Sequence, residues 1–216
     1  MSDDFYDNLK NSAGEQLKLT SGSAYDRLTG LEAVYPFVEG RSVLDMGSYM
    51  GLICYEMGKH KPSLIHGFDI YERGVEFSRE LFADIPIESR FERADFTKGA
   101  EVFETEFKGA LLPQYDVVLF LAVYQHLRRQ MSLKDIEAFM HYLISKTKEV
   151  LVLRTPLYHE IDQMIIRSGF SMVSFNDLSP EAAPVLVFVR NDSPRNPSFQ
   201  LRQAMREYQA QNRGDA

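Results

Sequence analysis

Short apolar runs alternate along this chain with segments of helical spacing, and that alternation limits the fold more than any other feature. The runs are Ser42–Met46, Ser63–Ile70, Ser89–Ala94, Tyr115–Val123 and Glu149–Arg154, several of them rich in Val, Ile, Leu and Phe. Near-continuous apolarity marks strands covered on both faces, the habit of parallel sheets. Between the runs, Leu52–His60, Tyr71–Ala83 and Ser132–Lys146 carry helical periodicity. In the last, Leu133, Ile136, Phe139, Met140 and Leu143 make one apolar face. Strand and helix in turn predict an α/β domain, a Rossmann-like, mostly parallel sheet with helices on both faces.

The pattern changes toward the end. A helix over His159–Ser168, stopped by Gly169, is followed by Phe170–Asn176 and Pro184–Arg190 with no convincing helix between them. This predicts an antiparallel C-terminal strand closing a seven-stranded sheet. Upstream, Ala24–Val38 reads as a helix laid against the sheet, with Pro36 fraying its end. Residues 1–23 are expected to form an N-terminal extension or lid, 24–190 the domain, and 191–216 a mobile C-terminal tail. In that tail the turn formers of Asn191–Pro197 precede a weakly anchored helical stretch, Phe199–Gln211.

Composition narrows the partners. With 216 residues, 44% hydrophobic and 25% charged, the chain suits one globular domain with short extensions. Its longest strictly apolar run, Val117–Val123, falls far short of the roughly 20 residues of a membrane span. The acidic start Met1-Ser2-Asp3-Asp4 is unlike a secretory signal, so the expected location is cytoplasmic. Cys54, the single cysteine, can form no internal disulfide and builds no thiolate metal site; no spacing of His, Asp and Glu predicts a metal cluster either. A formal net charge of -7 argues against broad electrostatic binding to nucleic acid and favours a small-molecule partner.

Ligands of open parallel sheets bind beyond the carboxyl ends of the strands, and acids stand at three successive predicted strand ends. The first strand runs into SVLDMGSYMG, Ser42 to Gly51, where Asp45 offers a carboxylate to a cationic group or caps the following helix. Gly47 permits a sharp turn and Gly51 a close helix start, for ligand approach or for the turn alone. Asp69, in HGFDIYE, can accept two hydrogen bonds from a ribose diol or shape a turn. Asp95, in ERADF, can accept from an exocyclic amine beside Phe96, which packs on a flat heterocycle or in the core. Three acids so placed describe a nucleoside pocket. The chain lacks the Gly-x-Gly-x-x-Gly loop, and an acid before the first glycine suits a pyrophosphate poorly, which argues against a dinucleotide.

Over about residues 24–190 these motifs resemble those of the class I S-adenosylmethionine-dependent methyltransferases. The family's first loop reads acid-x-Gly-x-Gly-x-Gly; here it is Asp45-Met46-Gly47-Ser48-Tyr49-Met50-Gly51, with Tyr49 at the middle glycine. A positive φ at that position costs tyrosine strain. Tyr49 reads as a lid over the cofactor or as a surface aromatic. The resemblance implies S-adenosyl-L-methionine as cofactor, with Asp45, Gly47, Ser48, Tyr49 and Gly51 beside its methionine portion. It implies Asp69 at the ribose hydroxyls, Asp95 and Phe96 at the adenine, and Ile70 among the cofactor-binding residues.

The resemblance also implies methyl transfer to an oxygen or nitrogen. The segment YDVVLFLAVYQHL resembles the family's fourth strand and the loop after it, where aromatic and histidine side chains face the substrate. His126 is the first candidate base, because imidazole takes a proton near neutral pH, with Tyr124 lining the same cavity; each also reads as a packed structural residue. Arg154, in VLVLRTP, and Arg128 and Arg129 after His126 offer guanidinium groups to a phosphate or carboxylate. Convergence of these loops points to a small, anionic metabolite or glycan-like acceptor; solvation explains Arg128 and Arg129 as well. His159 is a second candidate base. Two other readings stand beside this one: methylation of RNA or protein, and a non-catalytic binding or scaffold module, motivated by Tyr49 and by the absence of a sharp acceptor motif.

Overall fold

The computed structural model describes residues 9–16, 27–177, 183–201 and 203. Seven strands, β1 (Ser42–Met46), β2 (Leu64–Asp69), β3 (Glu88–Arg93), β4 (Tyr115–Leu121), β5 (Thr147–Arg154), β6 (Phe170–Asn176) and β7 (Val185–Arg190), form one sheet in the order β3-β2-β1-β4-β5-β7-β6. The pairs β1–β2, β1–β4, β2–β3 and β4–β5 are parallel. β7 runs antiparallel to both β5 and β6, so the closing strand is the expected exception.

The helices are α1 (Leu52–Gly58), α2 (Glu72–Phe82), α3 (Ala100–Glu106), α4 (Tyr124–Gln130), α5 (Leu133–Lys146) and α6 (Asp162–Arg167), and another helical segment begins at 197. Neighbouring residues of each central strand feed opposite cores. Val43, Val117 and Val150 pack with α1 and α2 on one face, while Leu44, Val118 and Leu151 pack with α5 and α6 on the other. Two covered faces explain why these strands read as unbroken apolar runs.

The structure adds detail to three expectations and overturns the first. The described part of Ala24–Val38 is not one helix; it breaks into 3₁₀ turns at Leu31–Ala33 and Tyr35–Phe37. Gly30 precedes them with φ 88°, and a Cβ there would meet Val185 at 3.0 Å, so the chain turns closely against β7 and cannot carry a helix through. Leu31, Val34 and Val38 are nonetheless fully buried, so the segment does lie against the sheet.

Second, residues 191–196 are fastened to the sheet. Asn196 is fully buried and its Nδ2 donates to the carbonyls of Val189 and Arg190, both at 3.0 Å, while Ser193 Oγ donates to Glu149. Buried carbonyls at the end of β7 require donors, and this turn supplies them. Most of the expected tail helix, at 202 and 204–211, lies outside the described residues, as do 212–216. Third, within the expected lid, residues 9–16 form a turn closed by a Lys10–Gln16 bridge. Leu9 there reaches the core and Asn11 bonds Glu80 of α2. The rest of the lid expectation, at 1–8 and 17–23, lies outside the described residues. Among the described residues no helix is long and apolar enough to cross a membrane.

At the amino ends of the central strands, Asp116 ties the sheet together. Its Oδ2 accepts from the backbone N–H and hydroxyl of Ser42, at 3.0 and 2.9 Å, and its Oδ1 accepts from Lys148 Nζ at 2.8 Å. Arg41 stands 3.5 Å away. Burial alone raises the pKa of Asp116, but the bonds from Lys148 and Ser42 outweigh it and hold the carboxyl below its ordinary value. Stability from this group is therefore present above the unfolded carboxyl pKa of about 3.9 and is lost as pH falls through the lower folded value. Asp116→Asn is expected to lower the melting temperature at pH 7 by about 2–4 °C. The gap from the parent should narrow as pH falls below about 3.9 and close once the folded carboxyl is protonated; a gap that stays constant through acidification rejects the ionic account.

Candidate functional site

A cavity of about 710 Å³ opens where the strand order reverses between β1 and β4, beyond the carboxyl ends of the parallel strands. The backbone shapes its floor. Gly47 has φ 104°, and a Cβ there would lie 2.2 Å from Val123, so only glycine lets the turn after β1 lie against the loop after β4. Its N–H and that of Ser48 both donate to Phe68 O, at 2.7 and 3.0 Å, carrying the β1–β2 pairing into the turn.

Tyr49 occupies the left-handed region, with φ 49°. Such a conformation costs a non-glycine residue roughly 1–2 kcal/mol, and its surroundings hold it there. Asp69 Oδ2 accepts the Tyr49 N–H at 2.8 Å, its Oδ1 accepts the Tyr71 N–H at 2.8 Å, and the rings of Tyr49 and Tyr71 stack at 5.4 Å. Each Asp69 oxygen has a second lone pair, so two further donors can be accepted on the cavity side. Ala122, after β4, has φ 60° and is held by its N–H on Arg154 O and by Gln125 Nε2 on its own carbonyl. Two of the three strained non-glycine residues in the described chain thus line one cavity, where strain is a mark of function.

Of the residues nominated for a cofactor, Gly47, Ser48 and Tyr49 line this cavity, as do Asp69 with Ile70 and Asp95 with Phe96. Asp95 Oδ1 accepts from the backbone N–H and hydroxyl of Thr97, capping a short 3₁₀ turn, which directs its second oxygen to other donors. Ile70 is 55% exposed, an apolar side chain at the cavity mouth, whereas Phe96 is buried and also packs on Phe139. Two nominees stand back from the wall. Gly51, at φ 75°, accommodates Ser78 of α2, whose Oγ would lie 2.8 Å from a Cβ. Asp45 is fully buried beneath the loop, where its Oδ2 accepts from the Cys54 thiol at 3.3 Å.

The catalytic nominees separate as well. His126 lines the cavity and is exposed. Tyr124 does not line it: its hydroxyl donates to Glu160 at 3.0 Å, and burial together with that carboxylate raises the phenol pKa far above neutrality. Tyr124 thus packs in the core with its hydroxyl on Glu160, off the cavity wall. Arg154 reaches the cavity wall, but its Nη1 and Nη2 donate to the carbonyls of Arg27 and Thr29, at 2.6 and 2.7 Å. Its guanidinium is a clamp on main chain. Arg128 pairs with Glu160 at 3.0 Å, and Arg129 and His159 stand exposed away from the wall. Arg27 and Gln125, which line the cavity, had no local signal in the sequence; folding alone brings them there.

Whether these residues suit S-adenosylmethionine can be tested on the polar atoms. Asp45 Oδ1, near the end of β1, and Ser48 Oγ, in the turn after it, are buried with no hydrogen-bond partner among the described residues. The acids at the ends of β2 and β3, which line the cavity with an apolar wall between them, suit a nucleoside, whose hydroxyls and exocyclic amine donate. The donor set fits.

The sequence matches no family model, and no curated protein matches it. Solved structures share the fold. The magnesium protoporphyrin IX methyltransferase of Synechocystis PCC 6803, solved with bound SAH, matches with a TM-score of 0.54 at 19% identity, over 77% of this chain and 81% of that one. An S-adenosylmethionine-dependent methyltransferase from Mesorhizobium loti matches with a TM-score of 0.54 at 15% identity, over 78% and 99%. The bifunctional kinase-methyltransferase WbdD matches with a TM-score of 0.52 at 20% identity, over 78% of this chain and 37% of that one. The fold is that of the class I S-adenosylmethionine-dependent methyltransferases.

Asp45 makes the site sensitive to pH. Burial, helped by Asp69 and offset in part by the Cys54 hydrogen bond, pushes its pKa up to about 7. A raised folded pKa means stability that is whole below about pH 3.9 and lost as pH rises toward 7, because the folded state then holds a proton the unfolded state has released. Asp45→Asn removes this loss. Denaturant unfolding is expected to show the variant more stable than the parent at pH 8, by on the order of 2–4 kcal/mol, with the advantage gone near pH 4; parallel stability curves for the two proteins would reject the assignment.

Proposed function

We propose that this chain binds S-adenosyl-L-methionine and transfers its methyl group to an oxygen or nitrogen of a small metabolite or glycan-like acceptor, an anionic one included. The observation that carries this reading is the cavity at the β1/β4 reversal, into which Asp69 and Asp95 open from adjacent strand ends over the turn shaped by Gly47. Bound there, the cofactor supplies a methyl group already activated on a sulfonium, so the protein needs alignment, exclusion of water and a proton acceptor.

The residues divide that work. Asp69 accepts the ribose hydroxyls while it holds Tyr49 and Tyr71 in place. Asp95 accepts the adenine amine, and Ile70 and Phe96 supply apolar faces for the base. The methionine portion lies beside the turn of Gly47, Ser48 and Tyr49, which lines the cavity, and Asp45 supports that turn from beneath. An imidazole nitrogen of His126 takes the proton from the acceptor's hydroxyl or amine. A cytoplasmic setting belongs to the same proposal, supported by a lone cysteine kept as a buried thiol.

Isothermal titration should give saturable binding of S-adenosylmethionine and S-adenosylhomocysteine. Asp95→Asn keeps an acceptor for Thr97 but turns a donor toward the adenine amine, and is expected to weaken both by about tenfold. No binding by the parent at millimolar cofactor overturns the proposal. Labelled methyl transfer to a panel of small acceptors, RNA and protein then separates the enzyme from a binding module and identifies the acceptor class.

A further inference from the structure

We infer that the methyl acceptor is a nitrogen carrying two hydrogens, the primary amine of a small molecule, and that Gln125 and Gln130 position it by accepting one of those hydrogens. The inference deepens the proposed function, choosing nitrogen over oxygen, and rests on it for the cofactor.

Helix α4 supplies this part of the cavity wall through Gln125, His126 and Gln130. Its orientation is set from the other side. Glu160 accepts from the Tyr124 hydroxyl and from Arg128 Nε, both at 3.0 Å, which pins the helix to the segment after β5. Tyr124 and Arg128 are one turn apart, and so are His126 and Gln130, about 200° further round the helix. Clamping the first face turns the second toward the cavity.

The helix's own main chain then engages the donor end of each carboxamide. Gln125 Nε2 donates to Ala122 O at 3.0 Å, and Gln130 Nε2 donates to His126 O at 3.4 Å. A flipped amide would set oxygen against carbonyl oxygen, so these partners decide which end is which. An oxygen is left to the ligand at both positions. Gln125 Oε1 is buried with no hydrogen-bond partner among the described residues, beside an Ala122 held at φ 60°. Such an oxygen calls for a donor, and a donor entering the cavity draws the amide toward it. Gln130 is exposed and reaches the same donor without that movement. The neighbouring cations offer nothing to an anion on this wall: Arg128 is on Glu160, Arg154 on main-chain carbonyls, and Arg129 stands off the wall.

Counting hydrogens separates the two nucleophiles. The reacting atom gives a lone pair to the methyl carbon and a proton to His126. A hydroxyl has one hydrogen, and once His126 accepts it none remains for a glutamine oxygen. A neutral primary amine has two. One N–H points to a glutamine oxygen and the other to the imidazole, which leaves the lone pair facing the sulfonium. As the N–C bond forms and the C–S bond breaks, the electron pair of the latter goes to sulfur and the cofactor departs as a neutral thioether. The methylated nitrogen passes its surplus proton to His126, so a secondary amine and an imidazolium remain.

Labelled methyl transfer by the full chain tests this on matched acceptors in which an amine replaces a hydroxyl: benzylamine with benzyl alcohol, glucosamine with glucose, glycine with glycolate. Methylated amine is expected, with kcat/KM above that of the hydroxyl partner; for a partner that is not turned over, its inhibition constant against the amine serves for comparison. Gln125→Met and Gln130→Met are each expected to cut the preference for amine about five- to tenfold, the effect of one hydrogen bond. A merely structural role lowers both acceptors alike and leaves the preference unchanged. Preference for the hydroxyl partner overturns the inference, as does an unchanged preference in both variants, with circular dichroism melts establishing that they are folded. Absence of any methylated amine, from a parent that binds S-adenosylmethionine in titration, overturns it alone. A parent that binds no cofactor sinks the proposed function and the inference together.

Discussion

Strand order reverses between β1 and β4, and the chain leaves these two adjacent parallel strands toward opposite faces of the sheet. A crevice must open between the departing loops. Keeping it open while packing both loops closely is the constraint on which the site depends. Gly47 meets it by presenting bare backbone to Val123, and the Gly47 and Ser48 N–H groups converging on Phe68 O hold that backbone against β2. A side chain at residue 47 would push apart the loops that form the floor and one wall of the cavity.

Tyr49 and Asp69 show how strain beside this floor is borne. Left-handed backbone at tyrosine costs roughly 1–2 kcal/mol, whereas a hydrogen bond to an ionised carboxylate contributes about 1.5–3 kcal/mol. The Asp69–Tyr49 bond is therefore of the right size to offset the strain. The ring at this position is not idle: it stacks on Tyr71 and underlies Arg27, contacts that a glycine could not make. Tyrosine in place of glycine at this position thus exchanges conformational ease for a surface that positions two neighbours.

Much of this was legible in the sequence. Strands buried on both faces announce themselves as apolar runs, and the acids at the ends of β2 and β3 needed only the rule about strand ends to become candidates. Other features were not legible. α3 and α4 are each seven residues long and had no periodic stripe long enough to register. Gly30 and Pro36 turned an expected helix into two 3₁₀ turns because contact with β7, a partner more than a hundred residues away, outweighs local helical spacing. Arg154 was correctly placed at the end of an apolar strand, but its main-chain partners, 127 and 125 residues distant, are visible only in three dimensions. Arg27 was missed for the same reason, since nothing near it in sequence marks a cavity wall.

The arrangement of charge follows from these distant contacts. Asp69 and Asp95 belong to strand ends on one side of β1, and the Arg154 clamp delivers Arg27 from the other. The cavity is therefore polarised across the reversal point, with carboxylates where a nucleoside's hydroxyls and amine can donate and guanidinium charge on the other side. A ligand reversed end for end would set its acid against two carboxylates, so the wall itself selects one orientation. For a displacement that needs three atoms in line, fixing orientation before reaction is the larger part of what a protein can supply. The clamp at β5, far in sequence from the glycine turn, is as much a part of that selection as the residues facing the ligand.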